Sequence, residues 1–177
     1  MLKKVNLKIV TERFPIGDAL LDHLPEGTLS EAAYARIVRE VERAERSRRD
    51  AARTEVTTQG RLHLSEDRFS VTYTEATEDD MVGGETQLTS HRATPGVITL
   101  LRSGDVRTAL VFEQGVRHRC TYTTPFMPFE VGVLAKRVDN HLLATGTLTV
   151  HYIVEIRGAE AECCHLTVSM REISQAK

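Results

Sequence analysis

The sequence predicts a mainly β protein, a single antiparallel meander of about ten strands closed into a barrel, with a helical insertion between the first two strands. Three observations predict it. From Gly146 to Ile173 the apolar residues fall on every second position: Leu148, Val150, Tyr152, Val154, then Cys164, Leu166, Val168 and Met170. A period of two is the signature of a strand, since a helix would scatter these side chains around its circumference. Short turn-forming segments, such as Ser103-Gly104-Asp105 and Gln114-Gly115, separate similar alternating runs upstream, which is how hairpins are punctuated. Only the stretch from Phe14 to Arg53 breaks the pattern, with a spacing of 3.6 in its place. Closing the meander removes its exposed edges. A two-sheet sandwich is the competing architecture.

In chain order, Val5, Leu7 and Ile9 alternate with Lys4, Asn6 and Lys8, giving a first strand over Lys3 to Thr11. The helical insertion, about residues 14–53, follows. Asp18 to Leu24 reads as one or two helical turns ended by Pro25-Glu26-Gly27, and Thr28-Leu29-Ser30-Glu31 matches a capping box. A helix over Leu29 to Arg53 should carry Tyr34, Ile37, Val38 and Val41 on one side and Arg36, Arg39, Arg43 and Arg46 opposite. Val56, Thr58, Gly60, Leu62 and Leu64 then form a strand face, matched across Ser65-Glu66-Asp67 by Phe69, Val71, Tyr73 and Glu75. A polar loop through Gly83-Gly84 precedes a weaker strand, Thr86 to His91. Val97 to Arg102 pairs with Val106 to Glu113, placing Thr108, Leu110 and Phe112 inside. His118, Cys120 and Tyr122 share one face of the next strand, and Pro125 and Pro128 mark a corner. Another strand begins at Phe129, and Gly146, read as a bulge, leads into the final hairpin reversed at Gly158.

The totals exclude several function classes. A net charge of −2 over 177 residues gives no global attraction to nucleic acid or anionic membrane. Hydrophobic content of 41% with 27% charged residues is that of an ordinary globular chain. The basic start lacks a continuous apolar run, so no signal peptide is read, and no stretch is long enough to insert as a membrane helix. Cys120, Cys163 and Cys164 are odd in number, and strand neighbours such as Cys163 and Cys164 point to opposite faces. Reduced thiols in a cytoplasmic protein are expected.

Several short motifs carry a family resemblance. Thr58-Gln59-Gly60 with Val71-Thr72-Tyr73-Thr74-Glu75, Leu101-Arg102-Ser103-Gly104-Asp105-Val106, Val111-Phe112-Glu113-Gln114-Gly115 and Tyr122-Thr123-Thr124-Pro125-Phe126 resemble the YwiB-like family, bacterial proteins of unknown function. The likeness covers Val56 to Ile173 and extends to the first strand. It implies a lipocalin-like, calycin-type β-barrel and brings no established activity or catalytic residue. Two features depart from the family pattern: the length of the 14–53 insertion, and Met127-Pro128 after Phe126.

The candidate ligand-binding residues are the inward side chains Tyr73, Glu75, Phe112, His118, Tyr122 and Tyr152. A barrel of this size can enclose one small molecule, and pockets combine apolar walls with a few directed polar groups. The plainer alternative leaves Glu75 in solvent, His118 as a satisfied structural histidine and the tyrosines as core rings with hydroxyls at the rim. By analogy with the helix–turn–helix of fatty-acid-binding proteins, Ile16, Leu20, Leu21, Leu24 and the Tyr34 to Val41 stripe would cap the cavity. The alternative is a helix on the outer wall or in a homodimer interface. The arginine stripe is interleaved with Glu40, Glu42, Glu45 and Asp50, which favours a solvated, salt-bridged face over a nucleic-acid or membrane contact.

No nucleophile elbow, P-loop or H-E-x-x-H motif is present. The histidines are dispersed, and Cys163-Cys164-His165 reads as part of a strand. No catalytic residue, metal or cofactor is therefore assigned. The expectation is a cytoplasmic, non-enzymatic β-barrel that binds a small apolar or amphipathic ligand, without nucleic-acid partner or membrane insertion. One alternative is a structural or interaction module, with a filled barrel and a helix that contacts a partner or second subunit. A second is an enzyme using inward Glu75, His118 and Tyr122.

Overall fold

The computed structural model describes residues 1–18, 20–21, 24–47, 51–75, 84–156 and 160–174. Its elements run β1 (Leu2–Asp18), β2 (Gly27–Thr28), α1 (Glu31–Ser47), β3 (Ala52–Leu64), β4 (Arg68–Thr74), β5 (Glu85–His91), β6 (Thr94–Ser103), β7 (Arg107–Glu113), β8 (Val116–Thr123), β9 (Pro128–His141), β10 (Thr147–Ile156) and β11 (Glu160–Glu172). Nine strands, β3 to β11, pair antiparallel with their neighbours in a meander, and β1 joins its two sides by lying between β3 and β11. Pairing of β8 with β9 completes the ring. The barrel is closed. Every long strand thus has two partners among the described residues, which leaves little edge to pair with another chain. The two-residue β2 pairs with Val116 and Arg117 at the start of β8, where β8 has no ladder to β7 beyond Thr108↔Tyr122.

The expected period of two converts into an inside and an outside. Leu148, Val150 and Tyr152 face Val168, Leu166 and Cys164 across the β10–β11 ladder, and all six are buried. Half of the barrel is solid. There Val5, Leu7, Leu62, Val71, Ile98 and Phe112 are at most 1% exposed, each worth about 1.5–3 kcal/mol on burial. Gly60 shows how tight that packing is, because a Cβ there would stand 2.6 Å from Leu7 Cδ1 and 2.7 Å from Thr72 O.

A second apolar cluster lies outside the barrel. Leu134, Ile153 and Cys163, on the outward faces of β9, β10 and β11, are covered by Phe14, Leu21, Leu24, Leu29, and by Ile37 and Val41 of α1. This overturns the lid expectation: α1, with Ile16, Leu20, Leu21 and Leu24, packs against the outer wall. The wall presents an apolar patch on its outward face there, and the helix removes that patch from water.

Four local expectations also change. β1 continues past Thr11 to Asp18, because its apolar residues switch sides: Thr11 and Arg13 point inward, while Phe14 turns out beneath the helix. The 14–53 insertion shrinks accordingly, since β3 begins at Ala52. The helix starts at Glu31 with Ser30 as its cap, the Ser30 hydroxyl accepting from Ala33 N–H at 3.2 Å, while Thr28 belongs to β2. Gly146 is a turn residue rather than a bulge, with φ +77 and its N–H donating to the carbonyls of His141 and Leu142. The Gly158 reversal and most of the loop before Gly84 lie outside the described residues. No helix among the described residues is long and apolar enough to cross a membrane.

Candidate functional site

The other half of the barrel is hollow. A cavity of about 720 Å³ occupies it, bounded by the C-terminal ends of β1, β4, β6, β8 and β10 and the N-terminal ends of β3, β5, β7, β9 and β11. Its walls are apolar midway down, with Ile9, Val56, Leu100, Leu110, Val131 and Leu166. Polar side chains are interspersed with this apolar wall. Tyr73, Tyr122 and Tyr152 line it, together with Glu75, Arg102, Arg13 and Glu162. Ile156 also borders the cavity and is 38% exposed, so the space reaches solvent at that end.

Alternation explains why these side chains meet. Glu75 continues the Phe69, Val71, Tyr73 face one step beyond β4, and Arg102 lies on β6 opposite Thr86 of β5. Glu75 and Arg102 form an ion pair at 2.6 Å, both about one-third exposed. Thr86 donates its hydroxyl to the other Glu75 oxygen at 3.2 Å. The Nε of Arg102 is buried and has no hydrogen-bond partner among the described residues. A buried donor without a partner costs about 1–3 kcal/mol, so a ligand or water oxygen placed there would recover it.

Burial keeps two of the phenols and the cavity's thiol protonated. Burial, and next the Glu75 charge, pushes the Tyr73 phenol up to about 12. Burial also raises Tyr152 well above its ordinary value and lifts the Cys164 thiol to about 11. These groups hold their protons and act as hydrogen-bond donors. None is activated as a nucleophile, because the thiolate and phenolate are disfavoured by the same desolvation.

The profile of a domain of unknown function, DUF1934, matches residues 39–168. The chain belongs to this family. Among solved structures, the barrel is similar to the crystal structure of the ywiB protein from Bacillus subtilis, at 14% sequence identity and a TM-score of 0.59, over 95% of this chain and 92% of that one. No curated protein matches. As a member of the DUF1934 family with a YwiB-like barrel, the protein inherits a fold and no activity.

Of the six residues singled out from the sequence, Tyr73, Glu75, Tyr122 and Tyr152 line the cavity. Two do not. Phe112 is fully buried one layer deeper, its ring tilted against Tyr152 at 4.5 Å, and so forms floor rather than wall. His118 shares a register position with Val133, yet its Nε2 is 3.2 Å from Glu113 and it borders the cavity nowhere. Its strand begins at the packed end, and the carboxylate just across the turn holds it there. The acid–base grouping of Glu75, Tyr122 and His118 therefore does not assemble: among the described residues Glu75 bonds Thr86 and Arg102. Arg13, Arg102 and Glu162 were missed by the sequence reading. Their parity was the available signal, since Arg102 follows Leu100, Arg13 follows Ile9 and Thr11, and Glu162 precedes Cys164 on inward faces.

Proposed function

We propose that this DUF1934 protein is a non-enzymatic carrier that holds one small, partly apolar molecule in the open half of a calycin-like barrel, in the cytoplasm. The observation that supports this most is the cavity of about 720 Å³, within the roughly 300–1,000 Å³ span of small-molecule sites. Its chemistry fits an amphipathic guest. An apolar body would lie against Leu100, Leu110 and Val131, and a polar end would meet the Glu75–Arg102 pair, whose spare Arg102 Nε–H would donate to its oxygen. Three buried cysteines outside any disulfide suit a reducing compartment. The filled-barrel alternative loses force, because a side-chain-packed interior would leave no such space.

Native mass spectrometry of freshly purified protein tests the reading together with titration by 1-anilinonaphthalene-8-sulfonate. The expected result is one retained small molecule per chain, or one saturable dye site per chain that decanoate displaces. A protein with neither retained mass nor saturable dye binding is not a carrier of this kind.

A further inference from the structure

Away from the cavity, three metal-ligating side chains meet where α1 rests on the outer wall. His151 of β10 and His165 of β11 are direct partners across the hairpin. Both project outward, on the same side as the Ile153–Cys163 pair beneath the helix. Their rings stack at 3.8 Å with an interplanar angle of 11°. Glu45, in the last turns of α1, reaches down so that its Oε1 is 3.0 Å from His165 Nε2. One ligand atom from each of the three lies within 4.8 Å of the other two. We propose that Glu45, His151 and His165 bind a zinc ion that clamps the C-terminal part of α1 to the barrel.

The donor set selects the metal. Two imidazole nitrogens and one carboxylate oxygen form a borderline N2O set, which suits Zn²⁺ in tetrahedral geometry with water as fourth ligand. Zn–N bonds of about 2.0–2.1 Å bring two nitrogens to roughly 3.3 Å, so at least one ring must swing out of the stack until its plane contains the metal. Glu45 and His165 need move little, since their 3.0 Å contact already approximates that spacing. The metal takes the place of the proton between them, and the His165 ring then carries its proton on Nδ1. His151 stacks on His165 and makes no hydrogen bond among the described residues, so no protein donor or acceptor has to be displaced from its ring.

The nearby cations do not close the site. Lys136 Nζ is 3.3 Å from Glu45 Oε2 and 3.5 Å from Oε1, so metal binding at Oε1 requires it to shift onto Oε2. It also has Glu42 at 3.9 Å, so it can remain paired when Oε1 binds metal. Arg137 is paired with Asp139. The site joins a helix to two strands more than 100 positions away in sequence, so occupancy would couple helix docking to zinc.

The test is zinc titration of EDTA-stripped full-length protein against a zinc-sensitive dye, with Co²⁺ substitution as the spectroscopic readout. Expected is one Zn²⁺ per chain with a Kd of roughly 10 µM or tighter, a Tm that rises with zinc, and tetrahedral Co²⁺ bands without a thiolate charge-transfer band. His151→Gln and Glu45→Gln should each weaken binding at least about tenfold. Far-UV circular dichroism of the metal-free variants checks that both still fold. His151→Gln is the more conservative, because it removes no bond. Absence of binding at 100 µM zinc (roughly tenfold above the expected Kd), a cobalt–thiolate band, or undiminished affinity in both variants would overturn the proposal.

Discussion

Replacing Phe112 with alanine tests the division of the barrel into a packed half and a hollow half. The side chain is fully buried, with its ring tilted against Tyr152 at 4.5 Å, while Leu110, two residues toward the mouth, already borders the cavity. Truncating a buried phenylalanine costs about 3–5 kcal/mol, and the value depends on how far the surroundings collapse. Collapse is restricted here. β7 is held by the β6 ladder from Val97↔Glu113 to Arg102↔Thr108, and Tyr152 is pinned by pairs on β9 and β11. A loss of about 4 kcal/mol is expected, equivalent to roughly 8–16 °C in Tm for a domain of this size. Urea denaturation followed by circular dichroism measures it. The same variant should deepen the cavity, so longer-chain competitors gain affinity relative to decanoate in the dye assay. A loss below about 1.5 kcal/mol, or an unchanged chain-length preference, would mean that Phe112 is not the floor.

Three further outcomes follow from the same coordinates. Gly146→Ala should cost about 2–3 kcal/mol, combining left-handed backbone strain with loss of the bond from Met170 N–H to Gly146 O, because the new Cβ would stand 2.3 Å from Met170 O. Urea titration of that variant decides it. Ile37→Ala on α1 should lose about 2–3 kcal/mol while ligand exchange stays at the wild-type rate, because the helix covers the outer wall; stopped-flow dye release would expose a lid if the rate changed. In EDTA, the protein should lose stability as pH falls from about 6.5 toward 4. His151 folds with its value lowered to about 4, so the unfolded chain binds more protons across that window. At Glu45, burial alone would raise the carboxyl, but Lys136 and His165 together outweigh it and hold it below its ordinary value, adding further loss at the acid end. Solvent reaching the half-buried His151 ring screens its share to about 1 kcal/mol, and His151→Gln should flatten the profile between those limits.

Much of the barrel was legible because alternation is a local property that survives folding. The β10–β11 hairpin pairs Leu148, Val150 and Tyr152 with Val168, Leu166 and Cys164, and parity alone identified those faces. Parity failed where a wall is covered on both sides. Beyond Thr11, β1 turns Arg13 toward the cavity and Phe14 toward the helix, so the strand continues while its apolar pattern inverts. A reading that equates apolar with inward must end the strand there. The same inversion hid the helix's position, since Leu134, Ile153 and Cys163 sit at positions that would be polar on a bare barrel.

The candidate sites divide along the same physical line. Tyr73, Tyr122 and Tyr152 are amphipathic, so their rings satisfy the inward pattern and their hydroxyls supply polarity to the cavity without breaking it. Arg13, Arg102 and Glu162 violate the pattern, and from sequence a charged residue near a strand end reads as solvent. What distinguishes them is three-dimensional: Arg102 is held by Glu75 at 2.6 Å with its Nε buried. The Glu45–His151–His165 cluster is further from view, because its members are spread over a helix and a hairpin and converge only when α1 docks. A half-filled barrel with charged residues facing the cavity is costly to maintain for stability alone, since unfilled space forfeits packing and the Arg102 Nε has no partner among the described residues. An occupant that fills the space and meets that donor would remove both costs at once, which is the physical reason to expect the barrel to be loaded rather than empty.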